Sequence, residues 1–304
     1  MSENRAYVRK KYTAKDFKRF AKKHPVAGAV ITVLVALFFI YSIAENHMAA
    51  QNTHRDGLYV HYIDVGQGDC ELIECNGKFM LIDAGWPENG SDVIKYLRSS
   101  GVSELEYVVC SHGDADHCGG LEAVVKRFHV KTVFVPPYGS DSVFYSIFIS
   151  KLENADLEPT VPEMGESYKL GGAEIKFIAP TSDLADDNEN SLVLRLEYGK
   201  TSFLFTGDVE RLGEQALLDS GAKLKCDVLK VAHHGSYTST SYQFLYNADP
   251  DVAVISCGKD NEYGHPHDVV LSRLKDAGVT VYRTDTMGTI VFFSDGEKIE
   301  RLAA

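Results

Sequence analysis

No charged side chain occurs between residues 25 and 44, and no internal repeat or low-complexity tract occurs anywhere in the 304 residues. The six cysteines form no C-x-x-C pair, which removes the usual zinc-ribbon and dithiol-redox spacings. No Pro/Gly/Ser-rich linker interrupts 57–300, so nothing in that stretch marks a domain boundary. An apolar content of 44% with 24% charged residues excludes collagenous and wholly disordered chains.

What is present is a polarised charge distribution. Residues 1–24 carry nine Lys/Arg against Glu3 and Asp16, a net of +7. Of the 31 basic and 43 acidic side chains, 22 and 41 fall after residue 44, a net of −19. A body that acidic repels phosphate polymers at long range, so any phosphate chemistry has to be local and cation-assisted. Val26–Ala44 is an uncharged run of 19 residues. As a helix it spans roughly 28 Å, close to the ~30 Å of a bilayer's hydrocarbon. With basic residues on its N-terminal side only, the expectation is a single-pass cell-membrane protein. Its parts are a cytoplasmic head at 1–24, a transmembrane anchor at 25–44, a polar tether at 45–56 and an extracytoplasmic body at 57–304. Ser42-Ile43-Ala44 resembles a small-x-small cleavage site, and cleavage there would make the body secreted.

In the body, strand and helix patterns alternate. Leu58–Ile63 reads as a strand, and 71–74 with 79–82 as a hairpin around Asn76-Gly77. Helices are expected at 91–99 (capped by Ser91), 121–128, 142–152, 211–219, 240–246 and 267–276. Further strands are expected at 106–110, 132–135, 167–170, 173–178, 192–198, 201–206, 227–231, 251–256, 279–282 and 288–293. Two sets of strands with helices outside imply one layered α/β body. Cys70 and Cys75 point to opposite faces of one strand, and the six cysteines are expected to be buried free thiols.

Candidate chemistry gathers in turns after strands. His112, Asp114, Asp116 and His117 occupy six positions after the apolar Val108-Val109-Cys110. Carboxylates and imidazoles that dense repel one another unless cations lie between them, and a merely solvated acidic loop needs no pair of histidines. Asp83, Asp208 and the pair His233-His234 follow three other apolar runs.

Here the sequence resembles the metallo-β-lactamase superfamily, and within it the ComEC-like hydrolase domains. The resemblance is carried by Ile63–Asp69, Leu81–Gly85, His112–Gly120, Asn190–Leu194, Thr206–Asp208, His233–Ser236, Tyr263–His267 and Arg283–Asp285. It implies an αββα sandwich of two packed mixed sheets with a hydrolytic site for two divalent ions, Zn²⁺ or Mn²⁺, along one sheet edge. By position, His112 and Asp114 would hold the first ion; Asp116, His117 and a histidine of the 233–234 pair, with His234 preferred, the second; Asp208 would bridge. Asp83 would buttress a ligand, and Asn190 stands where the superfamily usually has a third histidine. Ser236, Thr238 and Ser239 with His265 would contact phosphate oxygens. Asp114 replaces the middle histidine of the usual H-x-H-x-D-H, which makes the first site oxygen-rich and moves preference toward Mn²⁺.

The three ligand aspartates with two divalent ions leave the site at +1, enough to bind a phosphodiester inside the acidic body. The expected activity is phosphodiesterase or nuclease, with metal-bound hydroxide attacking phosphorus, Asp116 and Asp208 fixing the water, and His233 or His265 stabilising charge. The alternatives are a choline-phosphate or teichoic-acid esterase of the cell envelope, with Trp86, Tyr237, Tyr242 and Tyr263 as candidate cage residues, or a non-catalytic metal-binding module. The partners expected are a phosphodiester substrate, DNA or an envelope polymer, and the membrane; no protein partner is predicted.

Overall fold

The computed structural model describes residues 22–24, 27, 31–33, 55–184 and 186–303. The chain divides into two units, 1–52 and 53–304. Most of the apolar run 26–44, the head and the tether lie outside the described residues. Among the described residues no helix is long and apolar enough to cross a membrane.

The second unit is two mixed sheets packed face to face with helices on both outer surfaces. The first sheet holds β1 (Leu58–Tyr62), β2 (Glu71–Cys75), β3 (Lys78–Ile82), β4 (Glu104–Val109), β5 (His129–Phe134), β6 (Pro159–Thr160), β14 (Ile290–Ser294) and β15 (Ile299–Arg301). Their order is β15-β14-β1-β2-β3-β4-β5-β6. The second holds β7 (Ser167–Leu170), β8 (Ala173–Ala179), β9 (Val193–Tyr198), β10 (Thr201–Phe205), β11 (Val228–Lys230), β12 (Val252–Ile255) and β13 (Thr280–Arg283), in the order β13-β12-β11-β10-β9-β8-β7.

Each sheet joins an antiparallel half to a parallel one. Asn76 (φ 47°) and Gly77 (φ 74°) close the β2–β3 hairpin with the two positive φ values a tight turn requires. On β8, Ala173, Ile175 and Phe177 enter the core between the sheets while Glu174 and Lys176 point away, the period-2 pattern of a half-buried strand. β3 is buried on both faces: Met80 and Ile82 meet the second sheet, and Phe79 and Leu81 meet helices. The helices α1 (Gly90–Ser99), α2 (Ala115–Cys118), α3 (Leu121–Val125) and α4 (Val143–Asn154) cover the first sheet. α5 (Arg211–Ser220), α6 (Tyr242–Ala248) and α7 (Asp268–Asp276) cover the second through Leu217, Phe244 and Leu274.

α1 begins one residue earlier than expected and Ser91 does not cap it; a Cβ on Gly90 would lie 2.8 Å from that of Ala123, so close packing against α3 fixes this end. Glu189 caps α5 from outside the helix, accepting from the backbone N–H groups of Leu212 (3.1 Å) and Gly213 (2.6 Å). All six cysteines are buried and free. The strands β3–β4 and β10–β11–β12 run parallel within their sheets, so the loops after them leave from one edge of each.

Candidate metal centre

Five loops meet at that edge. They carry Asp69 after β1, Asp83 after β3, Ser111–His117 after β4, Thr206–Asp208 after β10 and Ala232–Gly235 after β11. α2 is tied on both sides by backbone: Asp69 donates to the Asp116 carbonyl (3.0 Å) and Ala84 to that of His117 (2.9 Å). Gly68 is required at its position, because a Cβ there would lie 2.4 Å from the Asp116 carbonyl oxygen. His233 and His234 both adopt left-handed backbone (φ 50° and 52°), as does Asp83 (φ 52°). Non-glycine residues held there cost about 1–3 kcal/mol each and persist where their surroundings over-determine them. The Cys110 and Cys118 thiols donate to the carbonyls of His112 (3.0 Å) and Gly113 (3.1 Å), bracing the first loop from inside.

The ring nitrogens decide what the cluster can hold. His117 Nδ1 bonds the Asp83 carboxylate at 2.9 Å, and His234 Nδ1 the Ser256 carbonyl at 2.9 Å. Both partners accept, so each ring carries a proton on Nδ1 and turns Nε2 inward. The two Nε2 atoms face each other at 3.3 Å. Asp208 Oδ1 stands 3.2 Å from His117 Nε2, and Asp208 Oδ2 and Asp116 Oδ2 stand 3.4 and 3.2 Å from His234 Nε2. The buried His112 Nε2 and Asp208 Oδ1 have no hydrogen-bond partner among the described residues. Acceptors converge on acceptors, which is stable only with protons or cations between them. Asp69, His117, Asp208 and His234 bring one ligand-type atom each within 4.8 Å of one another. Asp69, however, faces the Nδ1 edges (3.3 Å from His234, 3.8 Å from His117) and is in contact with the buried Lys230 ammonium. It backs the rings, whereas Asp116 and Asp208 share the Nε2 side.

Burial disfavours charge on His117 and His234, but Asp208 and Asp69 outweigh it and raise both imidazoles well above 6.5. His112 is the opposite case: burial, and then His117, push it down to about 3. The donor set therefore fits a divalent cation, which would replace those protons.

Of the residues singled out in the sequence, Asp83, His112, Asp116, His117, Asp208 and His234 come together. Asp114 sits at the rim with its side chain 48% exposed, 3.8 Å from His112 Nε2. His233 turns outward: its Nδ1 bonds Glu210 at 3.0 Å and its Nε2 lies 3.8 Å from Asp208. His265 lies with its ring centroid 5.6 Å from that of His233. The Ser236 hydroxyl bonds Thr238 (2.8 Å), whose own hydroxyl donates to Glu210 (2.6 Å). Asn190 serves its own loop, accepting from the Leu184 N–H (3.0 Å) and donating to Asp183 (3.2 Å); its neighbour Ser191 instead accepts from the Asp208 N–H at 3.1 Å. Sequence reasoning did not assign Asp69, Lys230, Glu210, Glu189, Ser111 or Ser191. Lys230 had a signal, a lone cation inside the apolar run Val228–Ala232.

The model of the metallo-beta-lactamase superfamily matches residues 63–259. ComE operon protein 3 of Bacillus subtilis is 31% identical over 295 residues, covering 90% of this chain and 37% of the relative. Recombination protein 2 of Haemophilus influenzae is 31% identical over 296 residues, covering 95% and 36%. The chain thus spans about a third of the length of these curated relatives. Among solved structures, the metallo-beta-lactamase fold protein YhfI from Bacillus subtilis aligns with a TM-score of 0.54 at 15% identity, over 79% of this chain and 100% of that one. CmlA, a diiron beta-hydroxylase from Streptomyces venezuelae, aligns at 0.51 and 15% identity, over 82% and 55%. These two likenesses concern the fold. With the two-sheet architecture and the acceptor cluster, the matches establish that the chain belongs to the metallo-beta-lactamase superfamily, as a metal-dependent hydrolase.

Proposed function

We propose that the protein is a phosphodiesterase of the nuclease type, anchored in the cell membrane by residues 25–44 with its body, 57–304, outside the cytoplasm. The observation that carries the reading is the pair of inward-facing Nε2 atoms ringed by carboxylates. Asp116, His117 and His234 would hold one divalent ion, His112 and Asp114 a second, with Asp208 between them. Two such ions, Zn²⁺ or Mn²⁺, would supply charge neutralisation and Lewis acidity.

The chain's own groups do the rest. Asp116 and Asp208 accept from the attacking water and aim it. His233, its Nδ1 held by Glu210, keeps Nε2 3.8 Å from Asp208, where it can pass a proton to the leaving oxygen. His265, driven down to about 4 by burial and then by its neighbouring histidines, stays neutral beside His233. The printed name of one relative, Recombination protein 2, favours a nucleic-acid substrate over an envelope polymer.

The test uses the full chain in mild detergent, stripped of metal and reloaded with Mn²⁺ or Zn²⁺. Substrates are bis(p-nitrophenyl) phosphate, single-stranded DNA and p-nitrophenyl phosphorylcholine, with Asp208→Ala alongside. Metal-dependent turnover of the first two, lost in the variant, is the expected result. Preference for the phosphorylcholine ester would replace the nuclease with an envelope esterase, and no turnover by folded, metal-loaded protein would leave a binding module. Fractionation with membranes, and protease sensitivity of the body from the outer face, test the anchor.

A further inference from the structure

Beside the metal centre lies a chain of four aromatic rings, of which the phosphodiester chemistry uses only His265. Tyr237 meets His267 (centroids 5.1 Å, 75°), His267 meets His265 (4.9 Å, 74°), and His265 lies under Tyr263 (5.6 Å, nearly parallel at 21°). The chain reaches the metal centre through His265, whose centroid is 6.2 Å from that of His234. Both end rings are open to solvent, Tyr263 at 51% and Tyr237 at 56%. Large rings left half exposed beside a site need a reason, since each forgoes a substantial burial gain.

The rings are also held in place. The His265 backbone is clasped twice by Asn261, which accepts from its N–H (3.0 Å) and donates to its carbonyl (2.6 Å). His267 Nδ1 accepts from the Tyr237 N–H at 3.1 Å. A surface fixed before its ligand arrives loses little entropy on binding.

We propose that Tyr263, stacked on His265 and followed by His267 and Tyr237, is the subsite for a nucleobase next to the scissile phosphate. This rests on the phosphodiesterase reading. Two features select a base over a quaternary ammonium. A cage turns several ring faces toward one point, whereas here Tyr263 stacks on His265 and the rings that follow meet edge to face. Two divalent ions at the metal centre would also make the wall a poor place for a fixed positive charge. The acidic body, in turn, gives a nucleic-acid strand no basic track, so stacking has to supply the affinity that phosphate contacts supply elsewhere.

The test uses metal-loaded full chain and the dinucleotide thymidylyl-thymidine, with analogues carrying a tetrahydrofuran abasic residue in place of either thymidine. Cleavage is followed by chromatography, and binding of thymidine monophosphate, deoxyribose 5-phosphate and phosphorylcholine by calorimetry. The expected result is that loss of one particular base lowers kcat/KM about tenfold, and that Tyr263→Leu abolishes this difference. Tyr263→Leu should likewise remove the preference for thymidine monophosphate over the sugar phosphate, with Tyr263→Phe retaining it. Equal cleavage of all three substrates by wild type overturns the subsite while leaving the phosphodiesterase intact. Failure to cleave any substrate, bis(p-nitrophenyl) phosphate included, overturns the phosphodiesterase; the subsite then stands only if base binding still depends on Tyr263. Tyr263-dependent binding of phosphorylcholine, or no Tyr263-dependent binding at all, overturns the subsite.

Discussion

His117, Asp208 and His234 bury their ligand atoms behind Asp83, Asp69 and Lys230, while His112 and Asp114 form a half with one backed ring and one carboxylate open to water. The closed half has every Nδ1 edge engaged and its acceptors preset within van der Waals reach. In the open half only His112 is fixed, through the Ser111 hydroxyl 3.0 Å from its Nδ1, and Asp114 must give up rotamer freedom and hydration to bind. Ligands fixed by their neighbours bind more tightly than ligands that must be ordered. The difference predicts that two ions bound there would be unequal: the closed half would fill first, and the open half would exchange.

The largest break in that comparison is His234→Ala. It should remove the ion of the closed half and lower turnover on the order of 10³-fold, the loss of several kcal/mol of charge stabilisation. Asp114→Ala should leave one ion bound, which metal analysis of dialysed protein distinguishes; two ions retained in His234→Ala would invert the order of filling.

Next comes Lys230→Met. Removing the cation strands the buried Asp69 carboxylate and should cost about 3–5 kcal/mol in chemical denaturation, much of it restored by adding Asp69→Asn. No loss of stability in the single variant would mean that the ion pair does not support the closed half.

The two halves should also respond to pH with opposite signs in metal-free protein. His117 and His234 are raised above 6.5 on folding, so their contribution is complete below pH 6.5 and fades as pH rises through their folded values. His112 is depressed to about 3, so it costs nothing above pH 6.5 and destabilises progressively as pH falls from there toward 3. A Tm profile of metal-free His112→Ala should lose part of the acid-side fall, and metal loading should flatten the alkaline side. If wild type and variant profiles coincide below pH 6.5, the assignment for His112 fails.

The smallest effect is expected from Asn190→Ala. Its two loop hydrogen bonds are worth about 1–3 kcal/mol of stability together, and metal stoichiometry should not change. A lost ion in this variant would show that the loop, rather than the two halves, governs filling.

Much of this was legible in the sequence because the strands are buried and carry period-2 or continuous apolar runs, and the ligand-rich turns follow them directly. β6, β15 and the short helix Thr284–Met287 were not, since two to four residues carry no period. The ligand side of the centre could be read because its residue types crowd together along the chain. The supporting side could not: Asp69 and Lys230 are 161 positions apart, and only packing of the sheets brings them into contact. His233 and His234 were indistinguishable by spacing, and the left-handed backbone at both positions is what sends one ring inward and the other toward Glu210.

The thiols that brace the first ligand loop bear on how the protein ages. Burial raises Cys110 well above the usual thiol range, as it does Cys70. Oxidants and disulfide exchange attack the thiolate, which these side chains do not supply. A loop held by Cys110 would therefore outlast one held by an exposed cysteine in oxidising surroundings, and its chemical lifetime would be set by how often the fold opens.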